Sequence, residues 1–380
     1  MSKLTIDIVG YVKGSLGLGE QVRSIVRVAL LAGYNVNLFD MASLNSHNSI
    51  NNNVFEFDHL VTNTFQGQVR IYSAPLDNIA SCFFNSKCKD FLDFDKNIFH
   101  IAWEFSSLPP ILYNFLNLTQ EVWTISDFIT LGLRNNTSAP SLPIKTFPNS
   151  LNLPKMLEIK TKKDFNLPEK FIFYSTFDAN SSYIRKNLFG TIDAFIKAFK
   201  NSNQCILLIK VSNFNLKMHD DTKNALYTKV EDFKNIIILD QSFSRDLSLS
   251  LLISCDAYIS LHRSEGFGLN ILEAMALSKP VIVTGYSGNM DFCFEDSSFL
   301  VDYKIIPVSN SEYHYAQDLE WAEPDIDSAA KMMERVFFNK DEVNSKTLRA
   351  KKYIDENYMP LSLVPKFKDY IESIMKKKND

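Results

Sequence analysis

The chain is poor in the residues that usually announce chemistry. Its six histidines are dispersed and show no metal-ligand spacing, so neither a metal nor another resident cofactor is expected. Its five cysteines, Cys82, Cys88, Cys205, Cys255 and Cys293, form no C-x-x-C pair. An odd, scattered set argues against a disulfide framework and fits a reducing, cytoplasmic compartment. Cys205 and Cys255 sit in apolar runs and read as small buried hydrophobes. No uninterrupted apolar stretch approaches the ~18 residues of a membrane span. The first residues place a charge, Asp7, inside an apolar strand, unlike a signal peptide. Basic charge is not in excess: 40 Lys and Arg stand against 44 Asp and Glu, a formal net charge of −4. That balance excludes a dedicated nucleic-acid binder. The one basic run, Lys376-Lys377-Lys378, reads as a solvated terminus, with peripheral contact to anionic lipid as the alternative.

What is present is a long alternation of strand and helix patterns. At 380 residues and 46% hydrophobic content the chain suits two ordinary domains. Residues 4–12 read as a strand, 14–19 as a glycine loop, 20–32 as an amphipathic helix capped by Gly33, and 35–39 as a second strand. Residues 45–53 are Asn- and Ser-rich and read as a loop, and Ser126 reads as a helix N-cap. Pro140, Pro143, Pro148, Pro154 and Pro168 place an interdomain linker over 138–168. A second alternation follows: strands at 171–174, 205–210, 236–239 and 257–261, with helices at 188–199, 220–233 and 246–253. This predicts two doubly wound α/β domains, 1–155 and 156–355, and a helical closing stretch.

The richest segment is 262–284, which passes from the strand at 257–261 through Gly266 and Gly268 into a short helix closed by Pro280. A glycine turn that opens a helix presents backbone N–H groups to an anion. Glu265 and Glu273 flank it, suited to hydroxyl groups, so a sugar nucleotide is the expected ligand. Glu265 and Glu273 with seven residues between them, Gly266-Phe267-Gly268, Glu273-Ala274-Met275-Ala276 and the following Pro280-Val281-Ile282 resemble the donor site of retaining GT-B glycosyltransferases, most closely glycosyltransferase family 4. The resemblance implies two Rossmann-like domains facing a cleft, with 356–380 returning to the N-terminal one. It implies metal-independent transfer of a sugar from a nucleotide-diphosphate donor, of uridine or guanosine, to an acceptor hydroxyl on a sugar, lipid-linked glycan or protein, in a setting such as bacterial surface polysaccharide assembly. It puts Glu273 on the ribose, Glu265 on the transferred sugar, and the amides of Gly266, Phe267, Gly268 and Leu269 on sugar and phosphates.

Three further groups follow. In 178–187 the pair Arg185-Lys186 is expected to open a helix, where cations oppose the dipole and a phosphate is the better reason for them. The resemblance aligns Lys186 with the family lysine; the family arginine is missing, Asp178 stands near its place, and Arg185 is the substitute. The 14–20 loop has the order G-x-x-G-x-G, and Asp40 follows twenty residues on. That leaves a nicotinamide-dependent oxidoreductase open, although the resemblance makes Gly17 and Gly19 approach points for donor or acceptor. Arg263 is placed near the phosphates, His100 and Glu104 near the acceptor, and 286–289 near the sugar. A non-catalytic GT-B binding subunit is the other alternative.

Overall fold

The computed structural model describes residues 3–14, 17–43, 56–84, 96–136, 141–154, 158–200, 202–214, 219–313, 316 and 318–376. Ser15 and Leu16 of the glycine loop, the Asn-rich stretch 45–53, Cys88, Pro140, Lys377 and Lys378 lie outside the described residues. The chain divides into two compact units: Met1–Asn152 with Glu356–Asp380, and Leu153–Asp355.

The first unit is built on six parallel strands, β1 (Thr5–Gly10), β2 (Asn35–Asp40), β3 (Val69–Ser73), β4 (Asn97–Ile101), β5 (Glu121–Thr124) and β6 (Ile144–Thr146). Their order is β2-β1-β3-β4-β5-β6. The inner strands are apolar runs because helices cover both faces; β1, β3 and β4 have almost no exposed residue. Strand β6 lies inside the stretch 138–168 expected to be linker, and the units part within the same stretch, between Asn152 and Leu153. Helix Pro360–Lys376 belongs to this unit and sets Leu363, Phe367, Ile371 and Ile374 into the core made by Ile6, Val69, Trp123 and Phe147. The Phe367 ring meets Phe147 at 5.5 Å and Trp123 at 5.8 Å. Each such fully buried side chain is worth roughly 1.5–3 kcal/mol relative to exposure.

The second unit has strands β7 (Phe171–Asp178), β8 (Cys205–Ser212), β9 (Ile236–Asp240), β10 (Ala257–Ser260), β11 (Val281–Thr284) and β12 (Phe299–Val301). All are parallel, in the order β12-β11-β10-β7-β8-β9. An antiparallel hairpin, β13 (Tyr303–Pro307) with β14 (Glu320–Pro324), interrupts the alternation after β12. Helix Leu188–Phe199 covers one face with Ile192, Ala194, Phe195 and Phe199. Cys205, Cys255 and Cys293 are buried free thiols, and burial pushes the Cys255 and Cys293 thiols up to about 12, so they are inert. Among the described residues no helix is long and apolar enough to cross a membrane.

Candidate active site

The donor turn grows from the carboxyl end of β10. In open parallel sheets that end is where ligands bind. His262 is fully buried and held by Ser260 Oγ at 3.1 Å and Asn289 Oδ1 at 2.9 Å. Gly268 has φ +91°, a left-handed conformation that a side chain would strain, and it stands at the N-cap of helix Leu269–Ala276. The first amides bonded inside this helix are those of Ile271 and Leu272, which both donate to the Gly268 carbonyl. The amides of Leu269 and Asn270 precede them, at the positive end of the helix. The loop after β11 is stitched to the turn: the Glu265 amide donates to Ser287 Oγ at 2.8 Å, and the Gly288 amide donates to the Glu265 carbonyl at 2.9 Å.

The cations arrive from the loop after β7. Ser182 caps a four-residue helix, Tyr183–Lys186, by accepting the Arg185 amide at 3.1 Å. Asn187, at φ 50°, ends that turn and caps the long helix that follows, accepting from the Gly190 amide at 3.2 Å. Arg185 and Lys186 therefore close a turn at its carboxyl end, where cations are favoured, and do not open the long helix. Arg185 is buried and donates to the Ser264 carbonyl at 2.8 Å and to Ser181 Oγ at 3.1 Å. Its Nη1 lies 3.4 Å from Glu265 Oε2, and Lys186 Nζ donates to Glu265 Oε1. Burial pushes the Glu265 carboxyl up, but the attraction of Lys186, then Arg185 and His262, outweighs it and holds the pKa down to about 2. Glu265 is thus a charged carboxylate with two counter-charges, in a site that almost excludes water.

Arg263 ties these parts together. Its amide donates to the Arg185 carbonyl at 2.7 Å and Nη1 to the Ile184 carbonyl at 2.9 Å. Nε pairs with Glu323 Oε2 at 2.5 Å, and the guanidinium lies over Trp321. In this arrangement Arg263 clamps the cation turn to the hairpin, and Glu323 pairs with its charge. Asp178, near the place of the family arginine, staples the ends of β7 and β8 by accepting from Asn213 Nδ2 at 2.9 Å. Glu273 lies buried inside the donor helix, and its Oε1 is 2.7 Å from Arg245 Nη1. Arg245 carries only a faint signature in the sequence, a lone cation directly after a helix-capping serine, Ser244. Among the described residues no cluster of three or more potential metal ligands occurs.

The remaining expected residues belong to the first unit. Gly17 and Gly19 are not loop residues: they form the first turn of helix Gly17–Leu31. A Cβ on Gly19 would stand 2.0 Å from the Gly14 carbonyl oxygen, so close packing explains that glycine, whereas a Cβ on Gly17 meets nothing within 4 Å. Asp40 accepts the Ala42 amide at 3.2 Å, a turn cap. Glu104 is half-buried and its charge contributes, after burial, to raising the Asp77 carboxyl pKa. His100 is fully buried and cannot touch an acceptor where it stands: Nε2 faces the Phe147 carbonyl at 2.9 Å, and Nδ1 accepts from Ser73 at 3.0 Å and Gln21 at 3.3 Å.

Burial holds the His100 pKa down to about 4 from 6.5. The unfolded chain then protonates first. The contribution of this ring is complete above pH 6.5 and is lost as pH falls toward 4, on the order of 3 kcal/mol. Chemical denaturation at stepped pH is expected to show stability falling already between 6.5 and 5, and His100→Gln is expected to flatten that limb.

Solved structures share this fold. A glycosyltransferase from Rickettsia africae superposes with TM-score 0.71 over 100% of both chains at 15% identity. Anabaena HepE, crystallised with UDP and glucose, gives 0.70 over 97% of this chain and 100% of its own at 12% identity. Sucrose-phosphate synthase from Thermosynechococcus elongatus gives 0.70 over 98% and 99% at 12% identity. These are GT-B glycosyltransferases, and the fold is GT-B. Residues 160–334, which hold the whole cation–carboxylate site, match the family described as glycosyl transferases group 1, and that segment is a domain of this family. An uncharacterized glycosyltransferase of Methanocaldococcus jannaschii is 35% identical over 130 residues, a match that spans about a third of each chain: 33% of this one and 34% of the relative.

Proposed function

We propose that the protein is a retaining, metal-independent glycosyltransferase that moves a sugar from a UDP- or GDP-type donor to an acceptor hydroxyl. The observation that carries this reading is the pair Lys186 and Arg185 on an ionised, buried Glu265 at the tip of the donor helix, inside the matched domain. The diphosphate lies against the helix amides and draws Lys186 toward itself. That cation offsets the charge that builds on the leaving phosphate as the glycosidic bond breaks, the role a metal fills in other designs. Glu265, released from part of its ion pair, accepts hydrogen bonds from the sugar hydroxyls, and Glu273 accepts them from the ribose. The acceptor oxygen bonds to the anomeric carbon on the face the phosphate leaves. Its proton passes to the departing phosphate oxygen, so the configuration is retained. Lipid-linked or free glycans of a surface polysaccharide, assembled in the cytoplasm with peripheral membrane contact, are the acceptor setting we favour.

A thermal-shift panel of UDP, GDP, ADP, NADH and matching nucleotide sugars is the test. One keto-base diphosphate is expected to raise the melting point by several degrees at a hundredfold excess over its Kd, about 2.7 kcal/mol of linkage. A panel in which only NADH stabilises the chain, or in which nothing does, would overturn the reading. NMR of the anomeric proton in the product decides retention.

A further inference from the structure

We propose that Arg245 is a positioning residue for the nucleoside end of this site, holding the Glu273 carboxylate charged and oriented to accept the ribose hydroxyls. The inference rests on the donor reading above and deepens it. Glu273 has a side chain only 7% exposed, in a helix whose Ile271, Leu272, Ala274 and Met275 are also buried. Tyr174 and Tyr258 stand with ring centroids 5.9 Å apart, and the charge of Glu273 adds to the burial that raises both phenol pKa values. An ionised carboxylate in such a place needs a counter-charge, since isolating one from water costs several kcal/mol. Arg245 Nη1, at 2.7 Å from Oε1, supplies it.

Helix stability does not explain this arginine. Arg245 occupies the first position of helix Arg245–Ser254, the end where a cation opposes the dipole. Ser244 already caps that end by accepting the Leu247 amide at 3.2 Å, and Asp246 is the first-turn acid. The placement makes sense outward, toward Glu273. A carboxylate offers about four lone-pair sites. The guanidinium stands at ion-pair distance from Oε1, and an ionised carboxylate accepts from hydroxyl donors better than a neutral acid does. The division of charge is also functional. Glu265 has Lys186 and Arg185, while Glu273 has Arg245, so a diphosphate that recruits Lys186 leaves the ribose anchor undisturbed.

The test is calorimetric titration of the full chain with UDP, GDP, their 2′-deoxy counterparts and inorganic pyrophosphate, in wild type, Arg245→Gln and Arg245→Lys. Wild type is expected to prefer the ribonucleotide over its deoxy form by about tenfold or more. Arg245→Gln is expected to lose about tenfold in ribonucleotide affinity, to bring the ribo-to-deoxy ratio close to one, and to keep its pyrophosphate affinity. Arg245→Lys is expected to recover part of the ratio. Arg245→Gln with the wild-type ratio, or with ribonucleotide and pyrophosphate weakened in parallel, overturns the positioning role while the donor reading stands. Wild type that binds none of the nucleotides overturns both.

Discussion

Lys186→Ala is expected to lower kcat by roughly 100- to 1000-fold, the range found when a pre-organised group facing developing charge is removed. The nucleotide Kd is expected to stay within a few-fold, because the helix amides and Glu273 are untouched. The two cations of the site differ in a way that singles out the lysine. Arg185 is 7% exposed at its side chain and is anchored on the Ser264 carbonyl and Ser181, whereas Lys186 is 25% exposed and pairs with Glu265. A flexible ammonium on a four-carbon stem can leave a carboxylate for a phosphate; a guanidinium fixed by a backbone carbonyl cannot do so without loss. Removal of Lys186 also removes the first of the attractions that hold the Glu265 pKa at about 2. The pH–rate profile of residual activity should therefore shift its acid limb upward, toward the ordinary carboxylate range, as Glu265 becomes easier to protonate. Initial rates with the donor found by the ligand panel, together with a Kd for its nucleoside diphosphate, separate the two effects. A kcat within threefold of wild type would remove Lys186 from the chemistry.

The parts of this arrangement legible in the sequence are those with a local signature. Helix Leu188–Phe199 matches its expected bounds, because its apolar period runs unbroken from Asn187. The turn into helix Leu269–Ala276 was legible because glycine and proline punctuate both of its ends. Strand β6 was not, since three residues among prolines carry no periodicity, and its place is decided by pairing with β5 and by Phe147 in the core. Hairpin β13–β14 escaped for a related reason: β13 is almost wholly exposed, so no alternation marks it. Yet its second strand supplies Glu323, which engages Arg263. The Arg245–Glu273 pair joins residues from two different helices, and no window of local pattern contains both. The placement of Arg185 and Lys186 turned on Asn187, whose left-handed backbone splits what reads as one helix start into two turns.

Gly288→Ala is expected to abolish donor binding, by at least 100-fold in Kd, and to lower stability by several kcal/mol. The Cβ it adds would stand 2.1 Å from the Gly266 carbonyl oxygen and 2.5 Å from its carbon. Both are backbone atoms, so no rotamer change relieves the clash, and one of two strand-end loops must move. They are the loops that the Gly288 amide and Ser287 Oγ stitch together through Glu265. Displacement therefore breaks two buried hydrogen bonds and moves the carboxylate that Lys186 and Arg185 converge on. Buried donors left unpaired cost about 1–3 kcal/mol each, beyond the steric strain. Gly17→Ala is the matched control. Its Cβ has open space, and alanine is about 0.5–1 kcal/mol better than glycine within a helix, so stability is expected to hold or rise slightly. If the Gly17 backbone approaches a ligand, this variant weakens binding while leaving the melting point intact, the opposite signature from a folding defect. Melting curves and UDP or GDP titrations of the two variants side by side check both expectations. Gly288→Ala with wild-type affinity would mean that the 287–288 loop does not hold Glu265 in its working position.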